Sequence, residues 1–460
     1  MLVKRNDSSN NLFETIFLVF IIVQPIIDLI TSLAVTKFES EFTAGVFIRF
    51  FMMAVGVFYI FFITNSKKKM TVIYILILGL FLILGLVNNL LVKSPIDLVD
   101  EIKFILKAVY FVLIFFSYLY VFRKLKNEGN WELQVQKYIV YSMTIVGVTM
   151  VIAALTNTAF SSYTYNKVGH VGWFYAGNEL GAVMSICFPI VLLYALRNTH
   201  SIKTVFYWIP TILLIYGLMA IGTKVGFGSV FITIVFSLAM LIIEKIRKKE
   251  TVHKINIVVN IIVLLGFALY TPFSPVAKNM NIHLSLVDTD HQQSEHSKEE
   301  QKKAHKNKNK LNDKQIENLV LSGRGEYLEQ FEDYFAKAPI TQKMLGMGYA
   351  GNYTDYIKLI EMDFHDLFFA FGIIGFLIYL LSLLYFLVKT IIRILFNFKT
   401  FFTLEIVLVS CGILLGLGIA YTAGHVLYAP AVSIYLAILI AYLYLKVTNE
   451  GNTTKGERLS

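Results

Sequence analysis

The protein has 460 residues, of which 56% are hydrophobic, 15% aromatic and 16% charged. This composition excludes an ordinary soluble domain and indicates a polytopic membrane protein. In a soluble protein the formal net charge of +10 would suggest a nucleic-acid partner. In a membrane protein the positions of the charges matter more than their sum, and we expect no nucleic-acid partner.

Twelve apolar segments are predicted to cross the bilayer, because a hydrocarbon core of ~30 Å needs roughly 20 apolar residues per helix. The first is too long for a signal peptide and is predicted to be a retained span. Only GTKVG separates the seventh from the eighth. Cys187 and Cys411 fall inside spans, so no disulfide framework is implied. In chain order the segments cover approximately residues 12–35, 41–64, 71–92, 102–122, 138–158, 173–196, 204–221, 225–243, 255–275, 364–390, 400–423 and 426–445.

The connections between the spans alternate in charge. One set carries basic clusters such as NSKKKM, RKLKNEG and EKIRKKETVHK, whereas the short loops of the other set hold scattered lysines. The positive-inside rule places the basic set in the cytoplasm. Both termini, including a tail over residues 446–460, are then predicted to be cytoplasmic, in agreement with an even number of spans.

Residues 276–363 are predicted to form one large extracytoplasmic loop between spans 1–9 (residues 1–275) and spans 10–12 (residues 364–445). Residues 291–315 are highly charged and nearly free of apolar side chains, so we expect disorder there. Residues 323–337 carry an aromatic and leucine stripe with helical spacing, which predicts an amphipathic helix. The predicted fold class is an all-α polytopic membrane protein with about twelve transmembrane helices and this one large loop.

Ionisable groups inside a bilayer are costly and often mark function. By the predicted topology most of them lie toward the extracytoplasmic side. We therefore predict a substrate site there, with His365 and Arg324 as catalytic residues. The predicted substrate-binding residues are Asp28, Arg49, Lys103, Lys107, Glu179, Lys224 and Asp366.

Apart from Asp366, each of these residues also has a simpler structural interpretation. Asp28 and Arg49 could form a structural ion pair, and Lys103 and Lys107 could extend to the interface. Lys224 could be a solvated turn residue, and Glu179 could pair with a nearby cation. Arg324 could pair with Glu326 or Glu329 in its loop, and His365 could be an interfacial histidine.

The cations and one histidine are predicted to converge on the extracytoplasmic side. This convergence favours a functional role over the structural interpretations. Arg and Lys bind phosphate, and the start of the helix after Arg324 adds partial positive charge. A histidine titrates near neutral pH and is suited to general-base work. No metal-ligand spacing, nucleotide-binding glycine loop or nucleophile motif occurs in the sequence. We therefore expect a lipid with a phosphate or diphosphate head group as substrate, with no metal and no cofactor.

Several motifs resemble the O-antigen ligase and polymerase superfamily of bacterial polysaccharide membrane enzymes. They are YAGNELGAVMSICFPIVLLY, the SGRGEYLEQFEDYF…LGMGY pattern and the histidine in FHDLFFAFGIIGFLIYL. The likeness covers roughly residues 173–228 and 320–390, together with the twelve-span layout and the late loop. The chain departs from the family at Asp366, where Asn is frequent, and at Thr223–Val225, where Ser-Arg-Gly is frequent. Lys224 keeps the charge of that arginine but not its bidentate geometry.

The resemblance implies an integral-membrane (GT-C-like) glycosyltransferase that needs no metal and acts on glycans carried by undecaprenyl diphosphate. Arg324 would match the family's loop arginine and His365 its catalytic histidine. The hypothesis is an inverting polymerase of lipid-linked repeat units for a capsule, an exopolysaccharide or a similar cell-surface polysaccharide. Besides the lipid-linked glycan, the candidate partners of the protein are a chain-length regulator and a flippase.

Three alternatives stay open, one of which is a non-catalytic assembly partner. An O-antigen-type ligase would move the lipid-linked glycan to a different acceptor. A flippase or other transporter would also suit twelve spans, although transporters often carry internal repeats and charges at the bilayer midplane. We find no sequence repeat between the two halves of the chain, and its charged groups are skewed toward the predicted outer side.

Overall fold

A computed structural model describes residues 12–39, 43–64, 68–163, 167–247, 254–282, 323–353 and 357–448. The predicted disordered stretch at 291–315, the first eleven residues and most of the tail lie outside these ranges. Within them the secondary structure is helical apart from one isolated bridge between Ser161 and His170. Fourteen helices are named here. They are α1 (Leu12–Phe38), α2 (Ala44–Phe58), α3 (Lys69–Val92), α4 (Leu98–Glu128), α5 (Trp131–Leu155), α6 (Gly177–Asn198), α7 (Ile209–Ile221), α8 (Lys224–Ile246), α9 (Lys254–Tyr270), α10 (Arg324–Lys337), α11 (Ile340–Leu345), α12 (Asp363–Phe396), α13 (Leu404–Thr422) and α14 (Pro430–Val447).

Twelve helical segments in the described ranges are long and apolar enough to cross a membrane. They are α1 to α9 and α12 to α14, and they confirm the twelve spans predicted from hydropathy. Short helical turns extend three of them: Tyr59–Ile63 follows α2, Ile202–Trp208 precedes α7 and Thr271–Phe273 follows α9. The main differences from the predicted boundaries are at helix ends: α4 and α12 continue for about two turns beyond their predicted ends, and α5 begins about two turns before its predicted start.

The GTKVG segment separates α7 from α8 by a sharp turn. Gly222 ends α7 with a left-handed backbone (φ 80°), and a Cβ there would lie 2.6 Å from the carbonyl oxygen of Val168. Thr223 then caps α8, because its side chain accepts a hydrogen bond from the backbone N–H of Gly226 at 3.1 Å. This turn places Lys224 at the first position of α8.

The centre of the bundle is formed by α4, α6 and α14. These three helices have the largest shares of buried residues among the twelve spans, and their apolar residues belong to one continuous hydrophobic cluster. A helix that is apolar all round is expected in the interior of a bundle, whereas a helix with exposed apolar residues, such as α3, is expected to face lipid. The polar side chains discussed below therefore lie where the ends of central and outer helices meet.

The end of the bundle at which α1 begins is held by ion pairs. Glu405 of α13 accepts from Arg197 of α6 at 2.6 Å and lies 3.1 Å from Lys446 of α14. Lys446 also binds Glu132 of α5 at 2.5 Å. These pairs fix the ends of four spans, and the residues predicted to bind substrate lie toward the opposite end.

The predicted aromatic stripe lies on α10, which packs against the beginning of α12. Phe331 lies 5.6 Å from Phe369 between ring centroids, and Phe335 lies 5.4 Å from Phe368. Tyr327, Leu328 and Tyr334 contact the same cluster. This packing fixes α10 beside the helix that carries His365.

A break inside α12 joins that helix to the segment after α11. Gly372 has φ 66° and ψ −175°, a backbone conformation that is essentially restricted to glycine. The break frees the carbonyl groups of Phe369 and Ala370, which accept hydrogen bonds from the N–H groups of Met347 and Gly348 at 2.9 and 3.1 Å. The first two turns of α12, including His365, are thereby tied to residues 346–348.

Gly372→Ala is expected to destabilise the protein by about 3 kcal/mol or more, because it combines backbone strain with overpacking. A Cβ at this position would lie 2.5 Å from the backbone nitrogen of Gly346. Gly79→Ala is the control, since no atom lies within 4 Å of its Cβ position in α3, and it should be neutral or slightly stabilising. Thermal unfolding in detergent checks both, and equal melting temperatures for the two variants would contradict the described packing.

Candidate functional site

Three segments meet at the end of the bundle opposite the start of α1. They are residues 357–362 before α12, the first turn of α10, and the turn between α13 and α14. Two buried carboxylates hold the first and the third of these segments together. Asp363 accepts from the N–H groups of Val426 and Leu427 at 2.8 and 2.6 Å. Asp366 accepts from the N–H groups of Ile360 and Met362 and from the Tyr428 hydroxyl, all within 3.1 Å.

Asp366 therefore holds two segments of chain, and its side chain does not line the cavities described below. We predicted it as a substrate-binding residue from sequence. The structure instead buries its carboxylate, at 1% exposure, and occupies it with protein donors. A buried carboxylate with three protein hydrogen bonds stabilises the local backbone and leaves little capacity for a ligand.

Glu361 connects the first turn of α10 to the turn between α13 and α14. Its carboxylate lies 3.2 Å from the Arg324 guanidinium and 3.8 Å from Nε2 of His425. Arg324 was expected to pair with Glu326 or Glu329 if its role were structural, but its described partner is Glu361. Glu361 and His425 both have left-handed backbones, with φ of 63° and 60°, which is uncommon for residues other than glycine and often marks functional sites.

The charges of this cluster shift the pKa values of its members. His425 contact lowers the pKa of Glu361 below its ordinary value against the opposing effect of burial, and Arg324 and Lys358 lower it further. Burial alone would lower the pKa of His425, but Glu361, Glu179 and Asp363 outweigh burial and raise it. The charged forms of Glu361 and His425 therefore stabilise each other.

A cavity of about 320 Å³ lies on the Arg324 side of Glu361, and we call it the cationic cavity. Its lining contains Lys224 at the start of α8, Arg324 at the start of α10, Lys167 and Lys358. Glu361 is the one carboxylate among its described lining residues. Four cationic side chains against one carboxylate make this cavity suited to a multiply charged anion.

A second cavity of about 430 Å³ lies on the His425 side, and we call it the inner cavity. Its charged lining groups are Asp28, Arg49, Lys107, Glu179 and His425. The cations and carboxylates are nearly balanced here, in contrast to the cationic cavity. The predicted pairing of Asp28 with Arg49 is present at 2.5 Å.

Arg49 is held rigidly at the wall of the inner cavity. Its Nε donates to the side-chain oxygen of Gln24 at 3.0 Å, in addition to the ion pair with Asp28, and the residue is 7% exposed. Both partners come from α1, whereas Arg49 comes from α2. The guanidinium is therefore preorganised, because its orientation does not depend on a ligand.

His365 lies beside the cationic cavity but does not line either cavity. Its ring centroid is 5.8 Å from that of Tyr421, which directly precedes the lining residues Thr422 and Ala423. Its Nδ1 is buried and has no hydrogen-bond partner among the described residues. The structure thus places the predicted histidine against Tyr421, one residue before the turn that contributes Thr422 and Ala423 to the lining of the cationic cavity.

Lys103 and Lys107 differ in their position relative to the two cavities, although both were predicted on one face of the fourth span. Lys107 lines the inner cavity. Lys103 lies 3.3 Å from Asp100 of its own helix at a partly exposed position and lines neither cavity. Within the described ranges, no group of three or more His, Cys, Asp or Glu side chains is placed to hold a metal ion.

A comparison with known protein families finds a match over residues 10–450. The matching family is described as "O-antigen ligase like membrane protein". The chain belongs to this family. A comparison with curated proteins finds no match. Membership makes the chain a multi-span membrane enzyme of the kind that acts on lipid-linked glycans. The cationic cavity of this O-antigen ligase-like protein therefore calls for an interpretation in terms of such a substrate.

Sequence reasoning on this O-antigen ligase-like protein missed one buried ion pair near the site. Lys93 donates to Glu101 at 2.6 Å and to the carbonyl oxygen of Tyr349 at 2.6 Å, and Glu101 accepts from the Tyr349 N–H at 2.8 Å. Burial lowers the pKa of Lys93, and Glu101 opposes this effect. The pair fixes residues 346–349 to the start of α4, and its signal in the sequence was a lysine directly after an apolar span.

His425→Asn is expected to lower the melting temperature of this O-antigen ligase-like protein in a limited pH range. Asparagine tolerates the left-handed backbone, so the main change is loss of the charge. The raised pKa of His425 means that its contribution is complete below about pH 6.5 and is lost as the pH rises through that raised value. The lowered pKa of Glu361 means that its contribution is present above about pH 4.3 and is lost as the pH falls through that lowered value.

The difference in stability between the wild type and His425→Asn should therefore be largest between about pH 4.3 and about pH 6.5. Its size should be about 1 kcal/mol or less, because Glu361 is partly exposed and solvent screens the pair. Melting curves of the two proteins across this range provide the measurement. A difference that does not change with pH would mean that the pair carries no charge-dependent stabilisation.

Proposed function

We propose that the protein is a glycan polymerase that joins undecaprenyl-diphosphate-linked oligosaccharide repeat units at the outer face of the cytoplasmic membrane. The observation that carries this proposal is the cationic cavity, in which Lys167, Lys224, Arg324 and Lys358 converge at one end of a membrane bundle. Family membership supplies the substrate class, a lipid-linked glycan. Of the parts of such a substrate, the diphosphate is the one that needs several cations.

In the proposed reaction, a hydroxyl of the acceptor glycan attacks the anomeric carbon of the donor. The bond between that carbon and the diphosphate oxygen breaks, and undecaprenyl diphosphate leaves with the electron pair. His365 takes the proton of the attacking hydroxyl. Attack on the face opposite to the leaving group inverts the anomeric configuration.

The cations have two roles in this scheme. They bind the diphosphate in the ground state, and they stabilise the additional negative charge that develops on it as the glycosidic bond breaks. Arg324 can bind two phosphate oxygens with its planar guanidinium, whereas Lys224 acts as a point charge. Preorganised donors of this type are worth about 10²- to 10³-fold in rate for each group removed.

The proposed base has a defined requirement. A general base must come within hydrogen-bond distance of the proton that it removes, and this distance is often reached only in the substrate complex. His365 is next to the turn that lines the cationic cavity, and its Nδ1 makes no hydrogen bond within the described part of the chain. The imidazole is therefore not committed to another described partner through that nitrogen.

The test is a reaction with purified protein in liposomes that contain single lipid-linked repeat units and neither nucleotide sugar nor added metal. A polymerase produces a ladder of longer lipid-linked glycans. A ligase leaves the repeat units unjoined until a different acceptor is added. A flippase moves the unit across the bilayer without joining it, and either of these two outcomes would overturn the proposal.

A further inference from the structure

We propose that the inner cavity is the binding site for the acceptor saccharide, the hydroxyl-bearing sugar end of the glycan that attacks the donor. The role of this saccharide as the acceptor rests on the proposed function. Whether the cavity binds a saccharide at all can be tested independently of that function. The volume of about 430 Å³ lies within the range of ligand sites, roughly 300 to 1,000 Å³. The cavity is thus large enough for a small number of sugar residues.

Charge separates the ligands of the two cavities. The cationic cavity offers four cations against one carboxylate, so the diphosphate belongs there. The inner cavity offers Arg49 and Lys107 against Asp28 and Glu179, with His425 in addition. A site with balanced charges favours a ligand that is polar and uncharged and that can both donate and accept hydrogen bonds, and sugar hydroxyl groups meet this description.

Two polar groups at the inner cavity have no described protein partner. The carboxylate of Glu179 takes part in none of the described hydrogen bonds or ion pairs, although it lines the cavity. Oγ1 of Thr31, which also lines the cavity, is buried without a hydrogen-bond partner. Buried polar groups normally have partners, so the Thr31 oxygen indicates a place where a ligand supplies one, and the partly exposed Glu179 carboxylate is accessible to the same ligand.

Aromatic rings complete a typical saccharide environment. Tyr175 lies at the rim with 61% of its surface exposed, and Phe174, Tyr428 and Tyr435 lie deeper in the lining. Sugar rings present C–H faces that pack on aromatic surfaces, whereas their hydroxyl groups bind charged side chains. A ring left exposed beside unpartnered polar groups is consistent with such a ligand.

The two cavities share a wall. Glu361 lines the cationic cavity, His425 lines the inner cavity, and the two side chains lie 3.8 Å apart. Nε2 of His425 is buried and has no hydrogen-bond partner at normal distance. Both residues have left-handed backbones, a strain that the fold maintains. An acceptor in the inner cavity would therefore lie next to a donor diphosphate on the other side of this wall.

Binding of two probes to the full-length protein in nanodiscs tests the proposal. The probes are the free repeat-unit oligosaccharide, released from the cell-surface polymer of the source cells, and undecaprenyl diphosphate. Glu179→Gln and Tyr175→Ala should each weaken oligosaccharide binding by about tenfold, the loss expected for one charge-assisted hydrogen bond or one ring contact. Both variants should leave the affinity for undecaprenyl diphosphate within about twofold of the wild type.

Three controls make the result specific. Tyr141→Ala removes a tyrosine that is 50% exposed on α5 and lines neither cavity, so it should leave both affinities unchanged. Lys224→Gln should weaken undecaprenyl diphosphate binding and spare the oligosaccharide. Melting temperatures confirm that each variant is folded.

Oligosaccharide binding that is absent in the wild type, unchanged in both inner-cavity variants or lost in Lys224→Gln would overturn the proposal. Failure of the proposed function is a separate result. If His365→Ala retained full polymerisation while Glu179→Gln lost oligosaccharide binding, the saccharide site would stand and the assignment of His365 would fall.

Discussion

His365→Ala is expected to lower the rate of glycan polymerisation by about 10²- to 10⁴-fold, the contribution of a positioned general base. Alanine removes the only group that the proposed reaction uses to accept the proton of the attacking hydroxyl. The fold should be retained, because the ring makes no described hydrogen bond through its buried Nδ1 and packs mainly beside Tyr421. Cells that carry the variant should accumulate the single lipid-linked repeat unit.

The measurement is the product ladder in liposomes, together with the length of the polymer in cells at matched protein levels. His200→Ala is the matched control, because His200 lines a cavity at the opposite end of the bundle and should not affect the rate. Full polymer length in His365→Ala cells would show that this imidazole is not the base. His425, which lines the inner cavity, would then be the next histidine to replace.

Arg324→Gln is expected to lower the rate by about 10²- to 10³-fold, because it removes a preorganised cation from the leaving diphosphate. The loss should exceed that of Lys224→Gln for a second reason. Arg324 also offsets the charge of Glu361 at 3.2 Å, so its removal leaves that carboxylate less fully compensated in the wall of the cationic cavity. Single-turnover rates with excess enzyme measure the effect on the chemical step.

Two further variants separate charge from geometry. Arg324→Gln combined with Glu361→Gln should recover part of the rate, because the negative charge that Arg324 offset is then absent. Lys224→Arg should keep most of the activity or raise it, since arginine adds bidentate contacts. Lys203→Gln, an exposed lysine at the other end of the bundle, is the control. Arg324→Gln with a rate within threefold of the wild type would contradict a role at the diphosphate.

The spans were predictable because hydropathy reports directly on the lipid environment. GTKVG was the hardest division, and the glycine and threonine in it turned out to be the helix stop and the helix cap. The end of α4 was placed too early because its last turns are polar, whereas α12 continues through the largely apolar residues 391–396, which the predicted boundary left out. Periodicity also indicated the aromatic stripe of α10, since a helix shows its contact face in its own sequence.

The site was less predictable, because its contacts join residues distant in the chain. The Asp28 and Arg49 pair could be expected from two adjacent spans, and it is present. The contact of Glu361 with His425 joins two turns about sixty residues apart and depends on left-handed backbones that no periodicity reveals. Apart from the preceding glycine, the sequence around His425 gives little indication that this residue belongs to the site. Asp366 shows the opposite problem, because its position beside His365 suggested chemistry whereas its hydrogen bonds hold the backbone.

The proposed function requires the cationic cavity to face the outside of the cell. Cysteine labelling in intact cells measures this orientation directly. The two native cysteines are buried, so single introduced cysteines can be labelled selectively with an impermeant maleimide. Lys337→Cys, at the exposed end of α10, where the lysine side chain is 75% exposed, should be labelled from outside. Lys203→Cys should be labelled only after the membrane is permeabilised, and the reverse pattern would contradict the account.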